Sequence, residues 1–290
     1  MMLRAANYKA VSASLLILLS GTGAFAASGK SAEAPVTPAA IIRQAVAVNN
    51  RDWQAQLDFA YDERDIKSKL DSSGQVQSRQ SKTYRMLMID GSPYQRLLEV
   101  NGEPISRTQC QAESEKLKNE VVRRRYESAT QRRSRIADFE STRAEEHLLM
   151  QQMAAAFNFR LLDEEQVDGT PCYRLAATAN PDYRPPVEKA RVLLGMRGQM
   201  WVDKQHFHWV KVKAEVTQPV SFGFFIAHVK PGTQFELDQM PVGEYWLPKY
   251  FIEKVNANVL GLYGYRSQEE SLYSDYQSQS KPFSDLASVN

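Results

Sequence analysis

Two blocks of strand-and-turn pattern flank one long helical segment, and this order limits the folds open to the chain. The first block covers residues 53–108. There, segments in which apolar and polar residues alternate are separated by turn sequences at 71–74, 90–93 and 101–102. Strand patterns return over residues 167–276. Short turns between successive strands predict antiparallel pairing, because parallel strands need long crossover connections. We therefore expect an antiparallel meander that is interrupted by a helical insert.

The helical insert covers about residues 110–157. It is highly charged up to about Arg135, and its second part carries an apolar stripe. The stripe consists of Leu148, Leu149, Met150, Met153, Ala154 and Phe157. A long sheet must hide its inner face, either by closing into a barrel or by a cover of helices. The stripe is the expected cover. A shorter helix is predicted from Pro38, ending at Asn49-Asn50.

Two strand segments, 84–89 and 222–227, are apolar on both faces. One face can pack against helices, and the other needs neighbouring hairpins, a lipid-like ligand or another protein. The alternative is that both faces are buried within the fold. If a cavity exists, we expect methionine and aromatic side chains to line it. The candidate lining residues are Met86, Met88, Leu149, Met153, Phe222, Phe224 and Trp246.

The first 26 residues have the layout of a secretory signal peptide. Arg4 and Lys9 are followed by the apolar run 11–19 and by the small residues of Ala24-Phe25-Ala26. The run is short for a membrane anchor, which is the alternative. Thr22 stands where a bacterial lipoprotein would carry its lipidated cysteine, so we expect no lipid anchor. Residues 27–38 read as a flexible leader, residues 39–277 as one domain, and residues 278–290 as a flexible tail.

Charge argues against nucleic acid as a partner. Cleavage after residue 26 would remove two of the 36 basic residues and none of the 34 acidic ones, which leaves the two signs balanced. Export would also separate the chain from nucleic acid. The one basic concentration lies between Lys116 and Arg135, and Arg123, Arg124 and Arg125 are its centre. One interpretation is a surface that binds anionic lipid head groups or an acidic partner. The alternative is an ordinary solvated helix face.

An oxidising compartment gives the two cysteines a choice of states. Cys110 and Cys172 could form a disulfide that closes a long loop, or remain two separate thiols. His206 and His208 share one strand face and His228 follows on a later strand, but a zinc site needs three or four converging ligands. No catalytic motif is recognisable. We therefore expect no metal, no cofactor and no enzymatic activity.

The turn sequences resemble those of a known group. Residues 71–74, 90–97 and 101–106 are similar to the first sheet half of the LolA/LolB/RseB superfamily, and the second half is similar too. The second-half segments are residues 169–175, 200–204 and 246–248. The resemblance implies a mainly β fold with helices (α+β). The expected architecture is an incomplete antiparallel β-barrel, covered by helices over an apolar cavity.

The resemblance also implies a function. A periplasmic carrier that binds lipoprotein acyl chains or another lipid is expected, with contact to a membrane surface. The alternative is an RseB-type sensing or interaction module that binds an envelope protein and transports no ligand. The sequence leaves the ligand, the partner and the oligomeric state open.

Overall fold

A computed structural model describes residues 36–222, 227–259 and 263–279. The predicted signal segment 1–26, most of the leader and the tail beyond residue 279 lie outside the described residues, as does Phe224. The described part has three α-helices, α1 (Pro38–Ala55), α2 (Arg107–Arg125) and α3 (Ala129–Ala156). It also has 3-10 helices at Gln56–Asp58 and Glu188–Gly195.

Thirteen strands form one antiparallel sheet. Their bounds are β1 (Phe59–Leu70), β2 (Val76–Ile89), β3 (Ser92–Val100), β4 (Glu103–Pro104), β5 (Phe157–Val167), β6 (Thr170–Ala179), β7 (Met196–Asp203), β8 (Trp209–Val216), β9 (Val220–Phe222), β10 (Ala227–Val229), β11 (Gln234–Val242), β12 (Tyr245–Val259) and β13 (Tyr263–Ser278).

The sheet is open. Its strand order is β4-β3-β2-β1-β13-β12-β11-β8-β7-β6-β5, with the short β9–β10 pair attached to β12. The first and last strands of this order, β4 and β5, do not pair with each other in the described residues. The predicted fold class, a mainly β half-barrel with covering helices, is therefore confirmed.

Tight turns set the register of the meander. Asp90 and Gly91 both have positive φ, at 47° and 87°, which is the backbone of a two-residue hairpin turn. The pairing of Ile89 with Ser92 places these two residues at the tip of the β2–β3 hairpin. The same Asx-Gly chemistry at residues 101–102 and 168–169 turns the β3–β4 and β5–β6 hairpins.

Helix α1 is longer than its sequence predicts. Thr37 caps it by accepting a hydrogen bond from the Ala40 N–H at 3.3 Å, and Pro38 occupies the first turn. The prediction that Asn49-Asn50 ends the helix is wrong, because it continues to Ala55. Asn49 is buried and the Asn50 side chain contacts His147 of α3, so these asparagines serve tertiary contacts instead of a turn.

The helical insert divides into two helices, each with its own start signal. Ser106 and Gln109 form a reciprocal capping box at the start of α2, and Ser128 and Gln131 form another at the start of α3. Tyr126 ends α2, so only residues 126–128 separate the two helices.

Helices cover both faces of the sheet. We define the inner face as the one that α1 and α3 cover. There, Ile41 and Ala45 of α1 pack with Leu175, Met200 and Trp209 of the sheet. Met150 and Met153 of α3 pack against the same cluster.

Helix α2 lies on the opposite, outer face of the β2–β3 hairpin. Its residue Val121 packs with Ala60, Leu87 and Ile89. Because strand residues alternate between faces, Met86 and Met88 point to the inner face. The doubly apolar segment at 84–89 is thus explained by α2 on one face and the inner space on the other.

Of the two alternatives for Cys110 and Cys172, the structure shows two separate thiols and no disulfide between them. Cys110 is exposed on α2, while Cys172 is fully buried in β6 beside Trp201 and Val210. Both thiols are free. Burial raises the pKa of Cys172 to about 12, so this thiol stays protonated and unreactive.

Candidate functional site

A large cavity lies between α3 and the inner face of the sheet. Its volume is about 690 Å³. Leu149, Met150 and Met153 of α3 line it from the helix side. Apolar side chains from the sheet and the second 3-10 helix complete the wall, among them Val192, Leu193, Met196, Met200, Val212, Phe235, Leu237 and Phe251. A cavity of this size and polarity suits an apolar ligand.

Small residues on adjacent strands create this volume. Ala177, Gly198 and Ala214 are paired across β6, β7 and β8, so they form one row beneath α3. A Cβ atom at Gly198 would lie 2.5 Å from the Lys213 carbonyl oxygen, so close backbone approach requires glycine there. Because the floor is made of alanine and glycine, Leu149 and Met153 do not fill the space above it. We call this the large chamber.

A second space of about 510 Å³ adjoins the large chamber. Met86 and Met88 line it, together with aromatic residues. The aromatic members are Trp53, Phe59, Tyr61, Phe139 and Tyr273. Glu63 and Tyr273 line both spaces, so the two meet at these side chains. We call the second space the aromatic chamber.

Three tyrosines form the polar part of the aromatic chamber and its surroundings. The Tyr61 ring centroid lies 5.9 Å from that of Tyr273 and 5.2 Å from that of Tyr276. Burial raises the pKa of all three hydroxyls, so they remain protonated donors at any physiological pH. The Tyr276 hydroxyl donates to the Pro248 carbonyl oxygen at 2.7 Å.

The contact between α1 and α3 fixes the helical cover above the aromatic chamber. The Trp53 and His147 rings stack with centroids 4.0 Å apart, and the Arg143 guanidinium lies 3.5 Å from the Trp53 ring. His147 Nε2 lies 2.6 Å from Asn50 Oδ1 and so carries the proton that it donates. Burial, followed by the nearby positive charge of Arg143, lowers the pKa of His147 to about 4.

Stability should therefore fall at mildly acidic pH. His147 is neutral in the folded chain down to about pH 4 and titrates near 6.5 when unfolded. The contribution of the neutral imidazole to the free energy of unfolding is complete above pH 6.5. It is lost as the pH falls from 6.5 to about 4, at no more than about 1.4 kcal/mol per pH unit. Urea unfolding at pH 7.5 and at pH 5 would measure this loss.

The His147→Gln variant should lose less stability than the wild type between these pH values, because Gln does not titrate. His206→Gln is the matched control, since His206 is exposed. Equal losses in the wild type and His147→Gln would contradict the assignment to His147.

A buried acid–imidazole pair joins the end of α1 to the β7–β8 loop. Asp52 Oδ2 lies 2.6 Å from His208 Nδ1, and both side chains are buried. The His208 ring stacks on Trp246 with centroids 5.8 Å apart. Trp246 packs against Cys172, Trp201 and Val210 and lines neither chamber, which corrects its prediction as a cavity residue.

The other predicted lining residues divide between the chambers. Leu149 and Met153 face the large chamber, while Met86 and Met88 face the aromatic chamber. Phe222 ends β9, and its side chain is outside what the structure describes; Phe224 lies outside the described residues altogether.

Arg124 does not present its charge to a partner, which corrects its predicted role. It is 5% exposed and points into the β2–β3 hairpin. Its guanidinium donates to the carbonyl oxygens of Ile89, Ser92 and Pro93 at 2.6, 2.7 and 3.2 Å, and it pairs with Glu120 at 2.6 Å. These charge-assisted hydrogen bonds hold α2 against the tip of the β2–β3 hairpin.

Acidic neighbours neutralise much of the remaining basic segment. Glu120 pairs with Arg123 at 2.6 Å, and hydrogen bonds from Arg123 and then Arg124 contribute to a lowered pKa of about 2 for Glu120. Glu127 pairs with Arg135, and Glu113 pairs with Lys116 at 2.6 Å. Arg125 is exposed and has no ion-pair partner among the described residues. The solvated-helix alternative thus describes most of this segment.

The described residues contain neither a metal-binding cluster nor a membrane-spanning helix. Within them, no group of three or more His, Cys, Asp and Glu side chains is arranged to hold a metal ion, and the side chain of His228 is not described. No helix in the same residues is both long enough and apolar enough to cross a membrane.

Sequence reasoning missed two features of the site. The Ala177–Gly198–Ala214 row reads as ordinary strand sequence, because its effect depends on register across three strands. The Trp53–His147 stack joins residues that are 94 positions apart in the chain. The one local signal for that contact is the presence of a large aromatic residue, Trp53, near the end of α1.

Comparison with known proteins finds similarity among solved structures. No protein-family model and no curated protein sequence matches this chain. A LolA superfamily protein from Nitrosomonas europaea is similar at 14% identity and TM-score 0.32, over 88% of this chain and 98% of that one. The Mycobacterium tuberculosis lipoprotein LppX matches at 9% identity and TM-score 0.30, over 82% of this chain and 93% of that one.

The Pseudomonas aeruginosa MucA/MucB complex contains a chain that matches at 10% identity and TM-score 0.21, over 82% of this chain and 99% of that chain.

Proposed function

We propose that this protein binds the acyl chain of a lipid or lipoprotein in the bacterial periplasm and acts as a carrier without catalysing a reaction. The large chamber is the observation that supports the proposal. It holds about 690 Å³ between sheet and helix and is walled by leucine, methionine, valine and phenylalanine side chains. A space with such walls favours apolar occupants.

The energy of binding would come from removal of acyl carbons from water. Each methylene transferred contributes about 0.8 kcal/mol, so a chain of a dozen carbons offers ample affinity after the entropic costs of association. The aromatic chamber offers a second compartment for another chain or for the remainder of the molecule. Binding by burial needs no catalytic group.

Entry of a ligand would require movement of the helical cover. Continuous ladders of hydrogen bonds hold the sheet together, whereas α3 meets α1 through side-chain contacts, among them those of Trp53, His147 and Arg143. Displacement of α3 is therefore the expected loading motion.

Lipid content is the direct test of this proposal. Native mass spectrometry of protein purified without detergent should reveal a bound acyl lipid, and the delipidated protein should take up the neutral probe N-phenyl-1-naphthylamine. A chamber of this polarity should increase the fluorescence of the probe. Absence of both lipid and probe uptake would contradict the carrier function.

An RseB-type interaction module is the second candidate, and the open sheet edge at β5 favours it. This strand is eleven residues long and ends the strand order, so one of its sides is free for β-strand addition within the described residues. Lipid-free protein with no probe uptake would leave this candidate, and a membrane surface or an envelope protein would then be its partner.

A further inference from the structure

The Glu253 carboxylate faces the large chamber, whose wall is mainly apolar and also includes Glu63. Glu253 lies on β12, opposite Phe235 of β11 and Glu269 of β13. Phe251 and Glu253 line the large chamber, whereas Ile252 and Lys254 line a groove on the outer face. This alternation fixes the direction of the Glu253 side chain.

The Glu253 carboxylate has no neutralising partner in the part of the chain that the structure describes. Among residues 36–222, 227–259 and 263–279, none forms a hydrogen bond or ion pair with the Glu253 side chain. Burial and the negative charge of Glu269 both raise its pKa. Both effects mean that the folded protein holds this negative charge at a cost that a suitable ligand would relieve.

The basic residues near the large chamber are engaged elsewhere. The Arg197 head group pairs with Glu215 at 2.6 Å, and that of Lys213 pairs with Glu236 at 3.4 Å. Both residues alternate with Gly198 and Ala214, so their side chains point to the outer face. Arg143 lies over Trp53 in the aromatic chamber. Glu63 also lines the large chamber. Next to Glu253 on the same face of the sheet, Glu269 pairs with Lys67 at 3.5 Å, so this lysine is engaged as well.

We infer that the large chamber selects amphiphiles whose head group is a cation and a hydrogen-bond donor, such as a long-chain ammonium, over amphiphiles with an anionic head group. An ammonium next to Glu253 would form a charge-assisted hydrogen bond with an otherwise unpartnered carboxylate. A carboxylate or phosphate in the same place would add a like charge in a site that is poorly solvated. This inference rests on the proposed function and adds a head-group preference to it.

Chain-matched ligands test the preference. Dodecylammonium and dodecanoate, each below its micellar concentration, would be used to displace N-phenyl-1-naphthylamine from delipidated protein at pH 7.5. Dodecylammonium should bind about tenfold more tightly than dodecanoate, a ratio equal to about 1.4 kcal/mol. In Glu253→Gln the ratio should fall to about twofold or less. Glu103→Gln, which removes an exposed carboxylate on β4, should keep the wild-type ratio.

The outcomes separate this inference from the function on which it rests. If the wild-type protein takes up no probe, the carrier function fails and the preference fails with it. If the probe binds but dodecanoate is at least as good a competitor as dodecylammonium, only the preference is wrong. That comparison uses the wild type alone, so it holds even if Glu253→Gln does not fold. An unchanged ratio in a folded Glu253→Gln protein would also overturn it.

Discussion

Replacing Ala214 with phenylalanine should weaken uptake of N-phenyl-1-naphthylamine at least about tenfold while the protein remains folded. Ala214 lies in the floor of the large chamber, and a phenyl ring there would occupy the space beneath α3. Because open volume already exists at this position, the stability cost should be at the low end of the roughly 1–3 kcal/mol typical of overpacked cores. Probe titration and thermal unfolding would measure the two effects.

Lys213→Phe is the matched control, because the neighbouring residue places the same ring on the outer face of β8. Its probe affinity should stay near that of the wild type. Equal loss of affinity in both variants would mean that the ring acts through general destabilisation of the sheet and not by filling the chamber.

Replacing Arg124 with methionine should produce the largest loss of stability among single substitutions in the basic segment. The change replaces the apolar stem of the side chain but removes the donors to the carbonyls of Ile89, Ser92 and Pro93. It also removes one of the two arginines paired with Glu120. Removing one partner from such a buried network typically costs about 3–5 kcal/mol. Urea unfolding would measure the change in unfolding free energy.

Arg125→Met provides the control for this prediction, since Arg125 is exposed on the same helix turn. Its effect should stay within about 0.5 kcal/mol. If the two variants were equally stable, the contacts of Arg124 with the hairpin would contribute little, and its charge would again be a candidate for partner binding.

The sequence predicts the architecture well, because that architecture depends on local signals. Turn residues at 90–91 and 101–102 and the apolar stripe of α3 are each readable within about ten positions. The capping serines Ser106 and Ser128 are equally local, although they become informative only once the two helices are known to be separate.

Features that depend on distant pairing escape this kind of reading. Arg124 has the same local context as Arg123 and Arg125, and only the position of the β2–β3 hairpin distinguishes it as a buried residue. Trp246 is an aromatic residue of the type that lines apolar cavities, but it packs against Trp201 and lies outside both chambers. A shift of one residue in a strand exchanges its faces, so composition alone cannot assign them.

The way in which the cover is joined to the sheet has a mechanical consequence. Only Ile105 and Ser106 separate β4 from α2, and β5 begins at the residue after α3 ends. Helices α2 and α3 therefore connect the two edge strands of the open sheet, β4 and β5. Movement of α3 away from the sheet to admit an acyl chain should pull on both edge strands. Ligand binding would then change the distance between β4 and β5.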